Sequence, residues 1–239
     1  MLFRSLTELA DRIAVRGEFA GACEYYEQAI AVVTEVGAIE DVIRMRSTQA
    51  RLYWLLGDQD ASATVIAEAR RCAERVTWPD ALAELALSEA KLAWWGGNAE
   101  EAYKQLGVAT AKLGDEAERP DIRAETHDLL GYLAVDLGEA RAHRAAAGQA
   151  ATEAGHAPLI AQVIVGVADL ALRRDQYEQA ARLLAASVGV RGLPDRSNPD
   201  AARIEQAARL RLGDAKFAEA EREGAQASWR ELADATLAC

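Results

Sequence analysis

The apolar and polar positions of the chain follow the period of an α-helix over most of its length. Leu6, Leu9 and Ile13 are spaced by three and four residues, and Leu82 and Leu85 follow the same rule. Residues at these spacings lie on one face of a helix, where they can pack against a neighbour. No segment shows the sustained alternation of a half-buried strand. The pattern therefore predicts an all-α protein.

A two-residue turn motif interrupts this pattern about every forty residues. Its first residue is Gly or Asp, and its second is acidic or an amide. The copies are Gly17-Glu18, Gly57-Asp58, Gly97-Asn98, Gly138-Glu139, Asp175-Gln176 and Gly213-Asp214. Self-similarity at such a period is the signature of stacked repeats. We expect one repeating element to fill the chain.

Small residues recur at fixed distances from this turn. Seven residues before it lie Ala10, Ala50, Ala90, Gly131 and Ala168. Five residues after it alanine recurs, whereas Ser62 and His143 depart from the pattern. Small side chains on both sides of a turn let two antiparallel helices approach closely. Each repeat is therefore predicted to be a helical hairpin.

Prolines mark where several hairpins begin, because the first turn of a helix loses no hydrogen bond to proline. They are Pro79, Pro120, Pro158 and Pro199. The first helices of the repeats are predicted at about 2–15, 40–55, 80–95, 120–136, 158–173 and 199–212, and the second helices at about 19–36, 59–76, 99–113, 140–154, 177–188 and 215–226.

These elements predict a single array over residues 1–239, folded as a right-handed superhelical solenoid. Its repeats span about 1–38, 39–78, 79–118, 119–156 and 157–190, followed by a degenerate repeat and a capping helix over 198–239. Terminal repeats need a cap to cover their open apolar face. We expect Trp229, Leu232 and Leu237 to provide it.

The composition excludes several classes of protein. A net charge of −11 gives no basic surface for phosphates, so we expect no direct binding to nucleic acid. No run is long and apolar enough for a membrane span or a signal peptide. Three cysteines without paired spacing predict neither a disulfide framework nor a zinc site. These features predict a cytoplasmic protein that does not contact membranes.

No constellation of catalytic residues stands out from the sequence. His127, His143 and His156 are spaced so that no two share a helix face, and His127 and His143 are expected to be structural. Cys23 and Cys72 lie among alanines of second helices and are expected to act as small hydrophobic residues, with Cys72, flanked by arginines, the better candidate for a redox role; the terminal Cys239 is uninformative. We predict a protein that is not an enzyme and that holds neither a metal nor a cofactor.

The repeats resemble tetratricopeptide repeats (TPRs), although they are longer than the usual length of about 34 residues. The residues that carry the resemblance include Gly17-Glu18-Phe19, Ala22, Gly97-Asn98-Ala99 and Ala102. The resemblance implies that the fold is built from TPR-like hairpins. It also implies that the first helix of each repeat lines a concave face.

The last quarter of the chain resembles the carboxy-terminal end of actinobacterial transcription regulators. These are the bacterial transcriptional activator domain regulators of the Streptomyces antibiotic regulatory protein type, and related ATPase regulators with a LuxR-type DNA-binding domain. The resemblance lies in residues 168–174, 179–186, 191–200 and 212–224. It implies a non-catalytic module for protein interaction or ligand sensing, whose partners are other domains of the same regulator, a separate protein or a small-molecule effector. The alternative is a free-standing TPR adaptor that binds a partner peptide, and a homodimer is also compatible with the sequence.

The positions of the first helices in TPR arrays define a candidate binding groove. It consists of Arg44, Arg51, Trp54, Lys91, Trp95, Asp128 and Tyr132. Aromatic and Arg side chains are the types that dominate binding hot spots. Two alternatives stay open, because one of the adjacent Trp94 and Trp95 must point away from such a groove and because the cations can pair with neighbouring acids.

Overall fold

The computed structural model describes residues 2–113 and 119–238, and within these residues it contains thirteen helices and no strand. Cys239 and the predicted repeat boundary at residue 118 lie outside the described residues. The chain divides into two compact units, Met1–Ala117 (unit 1) and Glu118–Cys239 (unit 2). The prediction of an all-α protein is confirmed.

Unit 1 is built from three helical hairpins. Its helices are α1 (Leu2–Val15), α2 (Phe19–Glu35), α3 (Ile39–Leu55), α4 (Gln59–Ala73), α5 (Pro79–Trp95) and α6 (Ala99–Leu113). Gly17, Gly57 and Gly97 form the three hairpin turns with φ angles of 90°, 79° and 77°. This backbone region strains residues with a side chain, which explains why the turn motif begins with glycine.

The core of unit 1 lies between successive hairpins. One apolar cluster, around Tyr26 and Met45, joins α1, α2 and α3. A second, around Ile43, Ile66 and Leu85, joins α3, α4 and α5. Since α3 takes part in both clusters and also contacts α5 directly, the first helices of the second and third hairpins lie side by side.

Unit 2 contains seven helices in its described residues. They are α7 (Pro120–Leu133), α8 (Leu137–Ala154), α9 (Ala157–Arg173), α10 (Tyr177–Arg191), α11 (Pro199–Leu212), α12 (Asp214–Gln226) and α13 (Trp229–Ala238). α7 and α8 form one hairpin, α9 and α10 form the next, and α9 also packs on α7. The last pair departs from this scheme because α12 packs mainly on α10 instead of on α11.

The turn of the fourth hairpin is not where the sequence placed it. α7 ends at Leu133 and α8 begins at Leu137, so Gly138 lies within the first turn of α8. The Asp136 carboxylate caps α8 by accepting the Glu139 amide at 2.9 Å. None of the connecting residues 134–136 has a positive φ. The turn therefore needs no glycine, and the signal used to locate it was misleading at this repeat.

The fourth hairpin follows the repeat once positions are counted from its helix cap. Ala140 and Ala147, four and eleven residues after Asp136, are both fully buried, as are the equivalent alanines of the first and third hairpins. His143 seemed to occupy a small-residue position only because the count started at Gly138. The placement of His143 at the position of close helix contact is therefore wrong, because Ala140 fills that position.

The last helix of the chain does not sit at the end of the stack. α13 packs on α8, α9 and α10, where Trp229 and Leu232 join the apolar cluster around Ile164. Leu237 packs against a small apolar cluster of Ala134, Ala140 and Leu170. The expected end cap is therefore replaced by a helix that packs on the fourth and fifth hairpins.

Candidate functional site

Two tryptophans meet on the surface formed by α3 and α5. Trp54, near the end of α3, and Trp95, the last residue of α5, have ring centroids 5.3 Å apart and planes inclined by 42°. Both side chains are half-buried. The two residues are predicted groove residues from neighbouring hairpins, and the packing of α3 on α5 brings them together.

The cations predicted for this surface have different environments. Arg44 is exposed, and its Nε donates to the Glu84 carboxylate at 2.7 Å. Lys91 is only 8% exposed. It is therefore not a solvent-facing groove residue, because its position on α5 turns it toward the helix packing. Of the two residues, only Arg44 offers its charge to solvent, and it does so within an ion pair.

Arg51 is the cation that lies closest in sequence to Trp54, one helical turn away on α3. Its Nη2 donates to Thr48 Oγ1 at 3.2 Å, while its Nε is enclosed and has no hydrogen-bond partner. Tyr26 projects into the same region from α2 and donates its hydroxyl to Asp11 at 2.5 Å. Burial, and then the Asp11 charge, raise the pKa of Tyr26, while Arg51 opposes the rise. Tyr26 therefore stays a neutral donor.

The two groove candidates of unit 2 belong to a buried charge cluster. Asp128, only 3% exposed, pairs with the fully buried Arg144 of α8. Arg144 Nη1 also donates to the Asp128 carbonyl at 2.5 Å. Tyr132 lies against the guanidinium, with the Arg144 Cζ 3.8 Å from its ring centroid. Asp128 is therefore part of the interior and not of a solvent-facing groove.

Arg144 occupies a position that is apolar or aromatic in the other regular hairpins. The eighth residue after the helix cap is Tyr26, Ile66, Leu106 and Leu184 in those hairpins, and all four are buried. The eighth residue before the cap is Ala10, Ala50, Ala90 and Ala168, and the same count in the fourth hairpin gives Asp128. An ion pair thus stands where the repeat otherwise places an alanine and a large, mostly apolar side chain.

Two glycines make room for the buried guanidinium. A Cβ built on Gly131 of α7 would lie 2.7 Å from Arg144 Nε. One built on Gly166 of α9 would lie 2.2 Å from both Arg144 Nη1 and Asp128 Oδ1. Because real Cβ atoms do not approach other atoms so closely, the side chain of Arg144 passes between α7 and α9 only where both helices carry glycine.

The cluster extends from the interior to the surface through α9 and α11. Asp169, 3% exposed, lies 3.8 Å from Arg144 Nη2 and accepts from Arg203 Nη2 at 2.7 Å. Arg203 also pairs with Asp200 at 3.0 Å, and its side chain is 46% exposed. Partial burial opposes the charge of Arg203, but Asp169 and Asp200 outweigh that effect and raise its pKa. Arg144 keeps two enclosed nitrogens, Nε and Nη2, without a hydrogen-bond acceptor.

Sequence reasoning missed Arg144, Asp169 and Arg203. Arg144 lies 16 residues from Asp128, and Arg203 lies 34 residues from Asp169, so no local motif joins these two pairs. A signal was nevertheless present for Arg144, because a charged residue at a repeat position that is otherwise Tyr, Ile or Leu is itself anomalous. It was hidden because the repeat was aligned on Gly138 and not on the cap residue Asp136.

Two histidines that share no helix form a pair between α7 and α8. His127 Nδ1 and His143 Nδ1 lie 3.2 Å apart. Burial lowers the pKa of both imidazoles, and for His127 the neighbouring His143 and Arg123 lower it further. The sequence argument correctly found no pair on one helix face but did not consider contact between facing helices.

The described residues contain no cluster of three or more His, Cys, Asp or Glu side chains placed to hold a metal ion. Burial, with the nearby Glu27, raises the pKa of Cys23 to about 11, so this thiol is a poor nucleophile. Cys72 is half-buried in the apolar clusters of unit 1. The groups described at these sites form hydrogen bonds, ion pairs and aromatic contacts.

No protein-family model matches the chain, and no curated protein matches it either. The resemblance to TPR-containing transcription regulators therefore stays a prediction from the residues quoted above.

Proposed function

We propose that the chain is a non-catalytic interaction module whose hairpins belong to a TPR-like superhelical array. Unit 1 binds an extended peptide segment of a protein partner on the surface of α3 and α5. The peptide carries an apolar side chain next to a carboxylate. The observation that carries this proposal is the half-buried contact between Trp54 and Trp95.

The tryptophan pair supplies the apolar part of such a site. Each ring already packs on the other and keeps part of its surface in contact with solvent. A bound side chain would cover that surface without requiring either ring to be ordered first. Pre-ordered aromatic anchors are favourable in binding because little side-chain entropy is lost when the partner arrives.

Arg51 supplies the polar part of the site. Its Nε is enclosed, but the side chain as a whole is only half-buried. A carboxylate from the partner would pair with the accessible part of the guanidinium through a charge-assisted hydrogen bond. Arg44 contributes less because Glu84 and Asp41 already neutralise it.

The partner class follows from the resemblance of residues 168–224 to bacterial transcription regulators. We place the bound segment in another part of such a regulator, and the same surface would serve a free-standing adaptor. The two alternatives differ in what the gene encodes. A DNA-binding segment in the same reading frame supports the regulator, and a complete gene without one supports the adaptor.

A panel of labelled ten-residue peptides tests the binding surface by fluorescence anisotropy. Peptides with Phe or Leu next to Asp or Glu should bind, and the same peptides with Lys in place of the acid should not. Trp54→Ala and Arg51→Gln should each weaken binding about tenfold, which corresponds to ~1.4 kcal/mol. Trp78→Ala is the matched control, since Trp78 is 57% exposed and precedes α5. Equal affinity of all three variants would exclude this surface.

A further inference from the structure

An apolar cavity of about 560 Å³ lies in unit 2 between α8, α9 and α13. Ile164 and Val167 of α9 and Ala233 of α13 line its deeper part, and all three are buried. Trp229 forms another part of the wall. This volume lies within the range of about 300–1,000 Å³ that is usual for small-molecule sites.

The position of α13 over this cavity is fixed by hydrogen bonds to its backbone. Arg174 donates to the Thr236 carbonyl at 2.7 Å, and Gln179 donates to the Leu232 carbonyl at 3.0 Å. The wall is thus held in place while the space beneath it stays open. Apolar cavities destabilise a protein in proportion to their size, so an occupant that fills this one would stabilise unit 2.

The polarity of the lining changes from the interior to the rim. Four polar residues border the cavity from exposed positions: Gln149, Thr152, Arg230 and Asp234. Arg230 and Asp234 carry opposite charges, so the rim offers hydrogen bonds but no net charge. An occupant that matches both ends has a hydrocarbon part and an uncharged polar head.

Arg144 also borders the cavity, but its charge is engaged elsewhere. Its guanidinium contacts Asp128 and Tyr132, neither of which lines the cavity. The two Arg144 nitrogens that lack an acceptor are themselves enclosed, and the charge already faces Asp128 and Asp169, so the deeper part is suited to hydrocarbon and not to an anionic group. An engineered apolar cavity of about 150 Å³ binds benzene, so the larger space here suits an acyl chain or a molecule of several rings.

We propose that this cavity binds a small neutral amphiphile, with its hydrocarbon part between α9 and α13 and its alcohol, ester or amide head at the rim. The site is separate from the peptide surface of unit 1 and does not depend on it.

Gly148 of α8 provides a specific way to fill the site. It lines the cavity, and a Cβ built on it meets no atom within 4 Å. Gly189 of α10 is the matched control, because its Cβ also meets nothing within 4 Å and it does not line the cavity. Both positions are helical, so replacing glycine improves helix propensity equally at each.

The experiment follows Nile red fluorescence with the full chain and then displaces the dye with 1-decanol. The series Gly148→Ala, Gly148→Leu and Gly148→Phe should weaken dye and decanol binding progressively, by about tenfold or more for Phe. The same series at Gly189 should bind as the wild type does. Decanol should displace the dye at lower concentration than decanoate or decyltrimethylammonium. Absence of dye binding, equal binding in both series or equal displacement by the charged amphiphiles would each overturn the proposal.

Discussion

The ion pair between Asp128 and Arg144 is the residue-scale feature that most distinguishes the fourth hairpin. Removing two charges from water is costly, and the cost is offset only where the partners satisfy each other closely. Here Asp128 accepts from Arg144, and Gln162 donates to the other Asp128 oxygen at 3.2 Å. Breaking one side of such a pair leaves an uncompensated buried charge, which is worse than having no pair.

Replacing Asp128 alone should therefore be much more harmful than replacing both partners. We expect Asp128→Ala to lower the free energy of unfolding of unit 2 by about 3 kcal/mol. The double variant Asp128→Ala, Arg144→Leu introduces the residue types of the other hairpins and should recover most of this loss. Urea denaturation followed by circular dichroism measures both effects. A double variant as unstable as the single one would contradict the argument.

The two glycines beside Arg144 should respond to alanine in the opposite way from an ordinary helical glycine. Gly131→Ala and Gly166→Ala should each destabilise unit 2 by about 1–3 kcal/mol, because the new methyl group overlaps the guanidinium. Gly107→Ala on α6 is the control, since its Cβ meets nothing within 4 Å. It should stabilise its helix by up to about 1 kcal/mol. Thermal denaturation measures the change in melting temperature for each variant, which should be negative for Gly131→Ala and Gly166→Ala and zero or positive for Gly107→Ala.

The pair of His127 and His143 should make stability depend on pH. Burial holds both pKa values below the ordinary 6.5, so the unfolded chain binds more protons than the folded one as the pH falls through 6.5. Arg123 and Arg144 disfavour protonation, while Glu139 partly opposes them. The free energy of unfolding should therefore be highest above pH 6.5 and should decrease as the pH falls below that value.

Comparison with the double variant His127→Gln, His143→Gln isolates this effect from that of other titrating groups. The urea midpoint of the wild type, relative to that of the variant, should fall as the pH decreases from 7.5 to about 5. A constant difference over this interval would show that the pair does not titrate differently in the folded and unfolded states.

At the scale of elements, the α7–α8 turn shows how tertiary contacts replace a local signal. The end of α7 leaves carbonyls without helical partners. Arg173 of α9 donates to the carbonyls of Gly131, Ala134 and Val135 at 3.2, 2.6 and 3.1 Å. The first three hairpins instead use a glycine with positive φ. The fourth turn is thus held by Arg173 of the neighbouring hairpin together with its own Asp136 cap, and it needs no glycine.

Helix α13 should contribute to the stability of the elements on which it packs. A chain ending after Ala227 loses the contacts of Trp229 and Leu232 with the cluster around Ile164. We expect the backbone amides of α9 and α10 to exchange hydrogen at least about tenfold faster in this variant. Leu210→Ala is the control, because Leu210 is 84% exposed and should leave exchange unchanged. Unchanged exchange in the truncated chain would contradict the assigned role of α13.

At the scale of the whole molecule, each compact unit has its own polar or aromatic feature. Unit 1 has the Trp54–Trp95 pair and unit 2 has the ionic cluster around Arg144. No helix within the described residues is both long and apolar enough to cross a membrane. The net charge of −11 leaves an excess of negative side chains that repel one another, which disfavours compactness.

Added salt should stabilise the protein because it screens this excess of negative charge. Raising the ionic strength from about 0.01 M to about 0.15 M shortens the screening length from about 30 to about 8 Å. We expect the melting temperature to rise over this interval. Neutralising three exposed acids, Glu24→Gln, Glu178→Gln and Glu221→Gln, should reduce the salt effect. A melting temperature that falls with salt would show that exposed ion pairs outweigh the net repulsion.

Local sequence determined the helices and most turns of this protein. Helical periodicity, glycine at positive φ and alanine at close contacts are all local requirements, so they could be identified without knowing what packs on them. The same reasoning placed Trp54 and Trp95 on neighbouring first helices, and they do meet. It failed for Asp128 and Lys91, because a repeat pattern indicates which helix carries a residue but not how deeply its side chain is buried.

Only the tertiary structure decided the rest. The path of Arg144 between Gly131 and Gly166, its pairing with Asp128 and the return of α13 onto α8, α9 and α10 join residues far apart in the chain. Their energies depend on desolvation and on the fit between separate helices, and neither quantity is encoded in the spacing of residues along one helix. The sequence by itself therefore determined the elements, whereas packing determined which charges are buried and where a cavity remains.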